Sequence, residues 1–356
     1  MIKSLVNKHV LEFDHYVVPY NNYKYVLNAN ESPYNIFEYI MDDYLNKLKT
    51  YQPNLYPDPM ATPLRKKLAN YTGVNPENII CGNGSDEIIT MIFSTFLGQD
   101  QVVVSHSPTF DMYSMGTKLA KGNFICVNDD DDLKIQSDKL IETANANHAK
   151  LLFLCAPNNP TGYALPKEEI IKILDNTSCI VVIDEAYGEF SDISCIDLIH
   201  KYDNIIILKT LSKAFGLAGL RLGYAISTEE TINCIYKVKQ PYNLNSMSQL
   251  LGELVLDHMP LIQGFIQNVK SERDRLATEL LAITEFIVYP SDANFILVKY
   301  KKNSSKLNEY LLSHGLFIKC FSGTHYLANY FRITVSTKEI NELLLKTIKE
   351  GIALEK

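Results

Sequence analysis

Six short runs through the middle of the chain, residues 101–105, 124–127, 151–155, 180–184, 205–209 and 223–226, are rich in apolar residues, and most are apolar without interruption. A strand with one face in water alternates apolar and polar residues; one covered on both faces does not. Helical patterns lie between the runs, such as 166–175, which a proline and two glutamates open. This rhythm predicts an α/β protein with a doubly wound, mostly parallel sheet.

The two ends read differently. Residues 1–45 are rich in aromatics and carry the turn-like Asn28-Ala29-Asn30-Glu31-Ser32-Pro33, which suggests an N-terminal arm rather than a series of strands. After about residue 250 a long helical pattern reaches Ala282, followed by strands near 286–288, 295–299, 317–319 and 331–335 and a helix from about Lys338. The expected organisation is a large domain over 46–250 and a smaller α+β domain over 251–356, with the arm 1–45 contributing to the smaller one.

Composition narrows the function. A net charge of −7 over 356 residues argues against a broad nucleic-acid surface. No apolar stretch is long enough to span a membrane, and residues 1–10 have no long apolar core of a signal sequence. The seven cysteines are scattered without a C-x-x-C pair, as expected of reduced thiols in a cytoplasmic protein. The acidic run 129–132 is expected to be a solvated loop between a strand and a helix, and no metal site is expected. Only five of the 34 basic residues are arginines, and tryptophan is absent, so planar anion forks and stacking rings have few candidates.

Polar residues cluster where the apolar runs end, which is where an α/β sheet builds its ligand crevice. Asn158-Asn159-Pro160-Thr161-Gly162 follows the run at 151–155, Asp184-Glu185-Ala186-Tyr187 ends the next, and Thr210-Leu211-Ser212-Lys213 follows the run at 205–209. Gly82-Asn83-Gly84-Ser85-Asp86-Glu87 precedes an apolar helix pattern at 88–96. Neither glycine cluster has the spacing of a dinucleotide fingerprint, which disfavours a nicotinamide enzyme. Taken singly, the segments could be a turn, a helix cap or a loop lysine.

Together, in order and spacing, Asn159, Asp184, Tyr187, Lys213 and, eight residues on, Arg221 resemble the fold-type I, class II pyridoxal-phosphate-dependent aminotransferases, over Asn28 to Thr337. The resemblance implies pyridoxal 5′-phosphate as cofactor. Lys213 would carry its aldehyde, Asp184 would keep its ring nitrogen protonated, and Asn159 and Tyr187 would hydrogen-bond its phenolate oxygen. Ser85 and Asp86 at a helix N-terminus, with Thr210, Ser212 and Arg221, would hold its phosphate. Phe110 would stack on the ring. Tyr56 would reach the phosphate in a neighbouring subunit, which implies a homodimer with shared active sites.

Within that family the chain is most similar to the histidinol-phosphate aminotransferases, through Leu27-Asn28-Ala29-Asn30-Glu31-Ser32-Pro33-Tyr34, Tyr56-Pro57-Asp58-Pro59, Gly82-Asn83-Gly84-Ser85-Asp86-Glu87 and Phe331-Arg332-Ile333-Thr334-Val335-Ser336-Thr337. The implied reaction exchanges the amino group of L-histidinol phosphate with 2-oxoglutarate, giving imidazole-acetol phosphate and glutamate, in histidine biosynthesis. Arg332 would hold either the carboxylate of glutamate or the substrate phosphate. Lys319 stands where many relatives carry a second arginine, and Ser336 where glycine is common. Asn30 and Tyr20 are candidates for contact with the imidazole, with the arm around 16–25 as a lid. L-threonine O-3-phosphate decarboxylation, broad aromatic transamination and a non-catalytic cofactor-binding protein remain as alternatives on the same fold.

Overall fold

A computed structural model describes residues 2–12, 22–321 and 326–355. Among these residues twelve strands form two sheets: β1 Tyr25–Leu27, β2 Ile79–Asn83, β3 Val102–Ser107, β4 Asn123–Asn128, β5 Leu151–Cys155, β6 Ile180–Asp184, β7 Ile205–Thr210, β8 Leu222–Ile226, β9 Phe286–Val288, β10 Phe295–Tyr300, β11 Leu316–Phe321 and β12 Tyr330–Thr334. The seven-stranded sheet runs β2-β8-β7-β6-β5-β3-β4. Only β8 is antiparallel to its neighbours; all other pairings in this sheet are parallel.

Burial on both faces explains the continuous apolar runs. Leu152, Leu154, Val181, Ile183, Ile205 and Ile207 belong to one core. The residues between them, Leu151, Phe153, Cys155, Val182, Ile206 and Leu208, belong to a second. Successive side chains on a strand point to opposite faces, so each strand feeds both cores. β5 and β6 have the bounds expected from sequence. The helix expected at 166–175 forms as Lys167–Asn176, with Pro166 at its N-cap.

Three sequence expectations change. The arm contributes β1, which pairs in parallel with β11 and so extends the five-stranded sheet β1-β11-β12-β10-β9. The pattern leading to Ala282 is two helices, Ser246–Asp257 and Met259–Leu281, separated at His258 just before Pro260, a residue that fits the first turn of a helix and not an interior. Within the acidic run, Asp129 is buried and accepts a hydrogen bond from His106 Nδ1 at 3.0 Å, and only the remaining three carboxylates lie at or near the surface. No helix among the described residues is long and apolar enough to cross a membrane.

One close approach fixes where the site begins. Gly223 in β8 packs against the turn into the helix Ser85–Phe96: a methyl group there would lie 2.3 Å from the Ser85 nitrogen and 2.4 Å from the Gly84 carbonyl carbon. Those are backbone atoms and cannot swing aside. Gly223→Ala is therefore expected to lower the free energy of unfolding by about 2–3 kcal/mol, measured by urea denaturation. An unchanged urea midpoint would show that the turn yields.

Candidate active site

Parallel strands carry their C-terminal ends to one edge of the sheet. β3, β5, β6 and β7 end there at Ser107, Cys155, Asp184 and Thr210. β2 also ends there, and β8 begins there directly after Arg221, because β8 runs against both neighbours. A cavity of about 350 Å³ opens at this edge. Its lining includes Ser85, Asp86, Phe110, Asn159, Asp184, Tyr187, Thr210, Ser212, Lys213 and Arg221, which gathers ten of the residues singled out from sequence.

The anion end of the cavity is built from backbone. Gly84, at φ 84°, turns β2 into the helix Ser85–Phe96 and aims the first N–H groups of that helix at the cavity. Arg221 lies across the turn with φ 54°, a conformation costly for a side chain with a Cβ, and its guanidinium pairs with Asp86 at 2.8 Å. A Cβ on Gly84 would come within 2.6 Å of that guanidinium. The Thr210 hydroxyl accepts from the Ser212 N–H at 3.1 Å and donates to the Leu222 carbonyl at 3.0 Å, so it ties the loop that presents Lys213 to the start of β8.

The opposite end holds a buried acid. Asp184 is 3% exposed; Tyr113 OH donates to its Oδ2 at 2.7 Å and the Ala186 N–H to its Oδ1 at 3.0 Å. Burial raises its pKa to about 6 despite both donors. Sequence reading missed Tyr113, whose ring stacks on Phe153 and meets Phe110 edge-on; inside an apolar helix pattern it looks like core. Lys213 Nζ donates to the Ala29 carbonyl at 2.7 Å, and its pKa is lowered to about 8, first by burial and then by the Arg332 and Arg221 cations. A depressed lysine and a raised carboxyl at one cavity are the marks of a site built for proton transfer.

Other expected residues lie around this centre. Arg332, on β12, donates to Asn159 Oδ1 and to the Asn28 carbonyl. Lys319, on β11, lies directly opposite it in register, so both project from the same face of the five-stranded sheet. Lys319 is exposed, with its ammonium 5.6 Å from the Phe321 ring, and does not line the cavity. Asn30 does not line it either: 1% exposed, its side chain bonds Tyr187 and Thr334 rather than pointing to an open pocket. Tyr56 is 80% exposed and stacks on Tyr242, away from its own chain's cavity. Tyr20 lies outside the described residues.

The model of the family described as aminotransferase class I and II matches residues 23–348. The chain belongs to that family. A histidinol-phosphate aminotransferase of Thermoanaerobacter pseudethanolicus is 42% identical over 350 residues, covering 98% of this chain and 99% of that one. Among solved structures, a histidinol-phosphate aminotransferase of Sinorhizobium meliloti, in complex with pyridoxal-5′-phosphate, superposes with a TM-score of 0.90 at 23% identity over 99% of both chains. An L-threonine-O-3-phosphate decarboxylase of Porphyromonas gingivalis superposes with a TM-score of 0.81 at 23% identity, over 93% of this chain and 100% of that one. Fold alone therefore does not separate the two activities; residues must.

The buried acid comes at a cost to stability. Asp184 binds its proton more tightly folded than unfolded, so its ionisation opposes folding increasingly as pH rises from about 4 to 6 and fully above. Asp184→Asn should stabilise the cofactor-free protein on the order of 2–3 kcal/mol at pH 7.5, with the gain shrinking toward pH 4. Urea midpoints of the two proteins across that range test it; a variant less stable than wild type at pH 7.5 would refute the assignment of a desolvated carboxylate.

Proposed function

We propose that this aminotransferase transfers the amino group of L-histidinol phosphate to 2-oxoglutarate, giving imidazole-acetol phosphate and L-glutamate, with pyridoxal phosphate as cofactor. The observation that carries the reading is the likeness over nearly the whole chain to a relative named for that activity. The residues present fit the cofactor. A cradle that only glycine at position 84 leaves open, a helix N-terminus and the Arg221 fork suit its phosphate. Asp184 suits a protonated ring nitrogen, which would repay the burial of its charge. Phe110 offers a ring to stack, and Lys213 an amine to hold the aldehyde.

Bound there, pyridoxal phosphate supplies an electron-accepting ring and a carrier for the amino group. The chain's own residues do the rest. Lys213 Nζ takes a proton from the α-carbon of the amino donor, a role its lowered pKa suits near neutral pH. Asp184 stays ionised against the ring nitrogen. Asn159 has its Oδ1 engaged by Arg332, which leaves its amide N–H groups for an oxygen in the cavity. Arg332 and Lys319, cross-strand neighbours on β12 and β11, would serve a carboxylate from one substrate and a phosphate from the other, Lys319 doing so from outside the cavity lining.

The reading includes a homodimer working in the cytoplasm. The large unit, residues 46–250, would hold the cofactor, and 251–356 with the arm 1–45 would close over it. Support for the dimer is the exposed Tyr56–Tyr242 stack, which leaves Tyr56 free to serve a neighbouring chain.

Kinetics of the protein and its variants, and subunit mixing, test this. L-Histidinol phosphate should donate its amino group to 2-oxoglutarate with a kcat/KM at least tenfold above that of phenylalanine, without release of carbon dioxide from L-threonine O-3-phosphate. Lys213→Ala should abolish turnover, and Lys319→Ala should raise the KM for histidinol phosphate about tenfold while Lys319→Arg keeps or lowers it. Carbon dioxide release from threonine phosphate would instead favour the decarboxylase. For the shared site, refolding Tyr56→Ala together with Lys213→Ala chains should restore about one quarter of wild-type activity through mixed dimers. No recovery would argue that each chain completes its own site.

A further inference from the structure

We infer that Asn30 and Thr334 are positioning residues whose hydrogen bonds fix the direction of the Tyr187 phenol, making it a donor into the cavity. The inference rests on the cofactor reading above and extends it to residues outside the cavity lining. Its basis is the direction of each bond. The Asn30 backbone N–H donates to Thr334 Oγ1 at 3.1 Å, so one lone pair of that hydroxyl is taken. The hydroxyl proton goes to Asn30 Oδ1, also at 3.1 Å. With its oxygen held on Thr334, the Asn30 amide can present only its NH₂ group on the other side, and Nδ2 donates to Tyr187 OH at 3.0 Å. A phenol that accepts here keeps its single proton for another partner. Tyr187 lines the cavity, and that is where an acceptor can sit.

The chain of bonds is closed to water. Asn30 is 1% exposed, Thr334 3% and Tyr187 5%. Asn294, fully buried, donates from Nδ2 to the Asn30 carbonyl at 3.0 Å and clamps the backbone. Asn30 has φ 55°, a left-handed conformation that asparagine tolerates better than almost any residue but glycine. Were the amide reversed, Oδ1 would take the phenol's proton and Tyr187 would show only lone pairs to the cavity. The two arrangements act oppositely on an oxygen beside the phenol: a donor favours its anionic form, a bare lone pair disfavours it.

The test reads the visible absorption band of the pyridoxal-phosphate-loaded enzyme against pH. Wild type should show a band that depends on Lys213, with a pH midpoint that reports the charge balance at the ring. Thr334→Val keeps the shape and removes the hydroxyl that orients Asn30; its midpoint should rise by about one pH unit. Thr334→Ser restores the hydroxyl and should return the midpoint to within a few tenths of wild type. In a Tyr187→Phe background, Thr334→Val should produce no further shift, because the effect runs through the phenol. Asn30→Asp, which offers only acceptors to Tyr187, should raise the midpoint as well and serves if Thr334→Val does not fold. A midpoint unmoved in both variants, or an equal shift with Tyr187 already replaced, would overturn the inference. Absence of any Lys213-dependent band in wild type would instead overturn the cofactor reading beneath it.

Discussion

Parallel pairing of β3, β5, β6 and β7 brings their C-terminal ends to one edge of the sheet, and the cavity at that edge depends on that direction. Residues as far apart in sequence as Phe110 and Lys213 meet in a single cavity because each follows the end of a strand in the same sheet. The one reversed strand serves the same edge. β8 begins where its neighbours end, so Arg221 arrives from the opposite direction and faces the turn at Gly84. Gly223, two residues further on, lets β8 approach that turn closely enough for the guanidinium and the helix N-terminus to meet at one end of the cavity.

Such a site concentrates charge in a place with little water. Asp184 and Lys213 both titrate far from their ordinary values because burial disfavours their charged forms. The molecule handles a second buried cation differently. Lys209, immediately before Thr210, pairs with Glu185 and Glu189 at 3.1 Å each, and these partners hold its pKa well above the usual lysine range despite full burial. Adjacent residues thus take opposite roles on one strand end. Asp184 turns to the cavity with no cationic partner among the described residues, while Glu185 turns into the core to neutralise Lys209 and to accept the Cys195 N–H.

Much of this was legible in the sequence, for identifiable reasons. Strands buried on both faces leave continuous apolar runs, and β5 and β6 were placed to the residue. Site residues that follow such strands stand out because a polar cluster interrupts an apolar pattern, as with Asn159, Asp184 and Lys213. What was hidden depends on tertiary pairing. β1 is three residues long and exists because β11 lies beside it, so no local periodicity announces it. Tyr113 looks like a core aromatic and is one, yet its hydroxyl reaches Asp184. Asp129 sits in a run of four acids, and only the fold shows that His106 takes it out of solvent. Asn30 was recognisable as part of a turn, but its partner Thr334 is 304 residues away.

That last separation shows how the five-stranded sheet takes part in a cavity walled mainly at the edge of the large one. Arg332 and Thr334 are two residues apart on β12, and residues at that spacing project from the same face of a strand. Arg332 engages Asn159, and Thr334 engages Asn30, which in turn engages Tyr187. One short strand therefore holds Asn159 directly and Tyr187 through Asn30, two side chains with donors in the cavity lining. Its neighbour β10 holds it in antiparallel register, with Leu297 opposite Arg332 and Phe295 opposite Thr334, both fully buried. The precision of the donors is thus inherited from core packing in the smaller sheet: β12 cannot slip by one residue without turning Arg332 and Thr334 to the wrong face together.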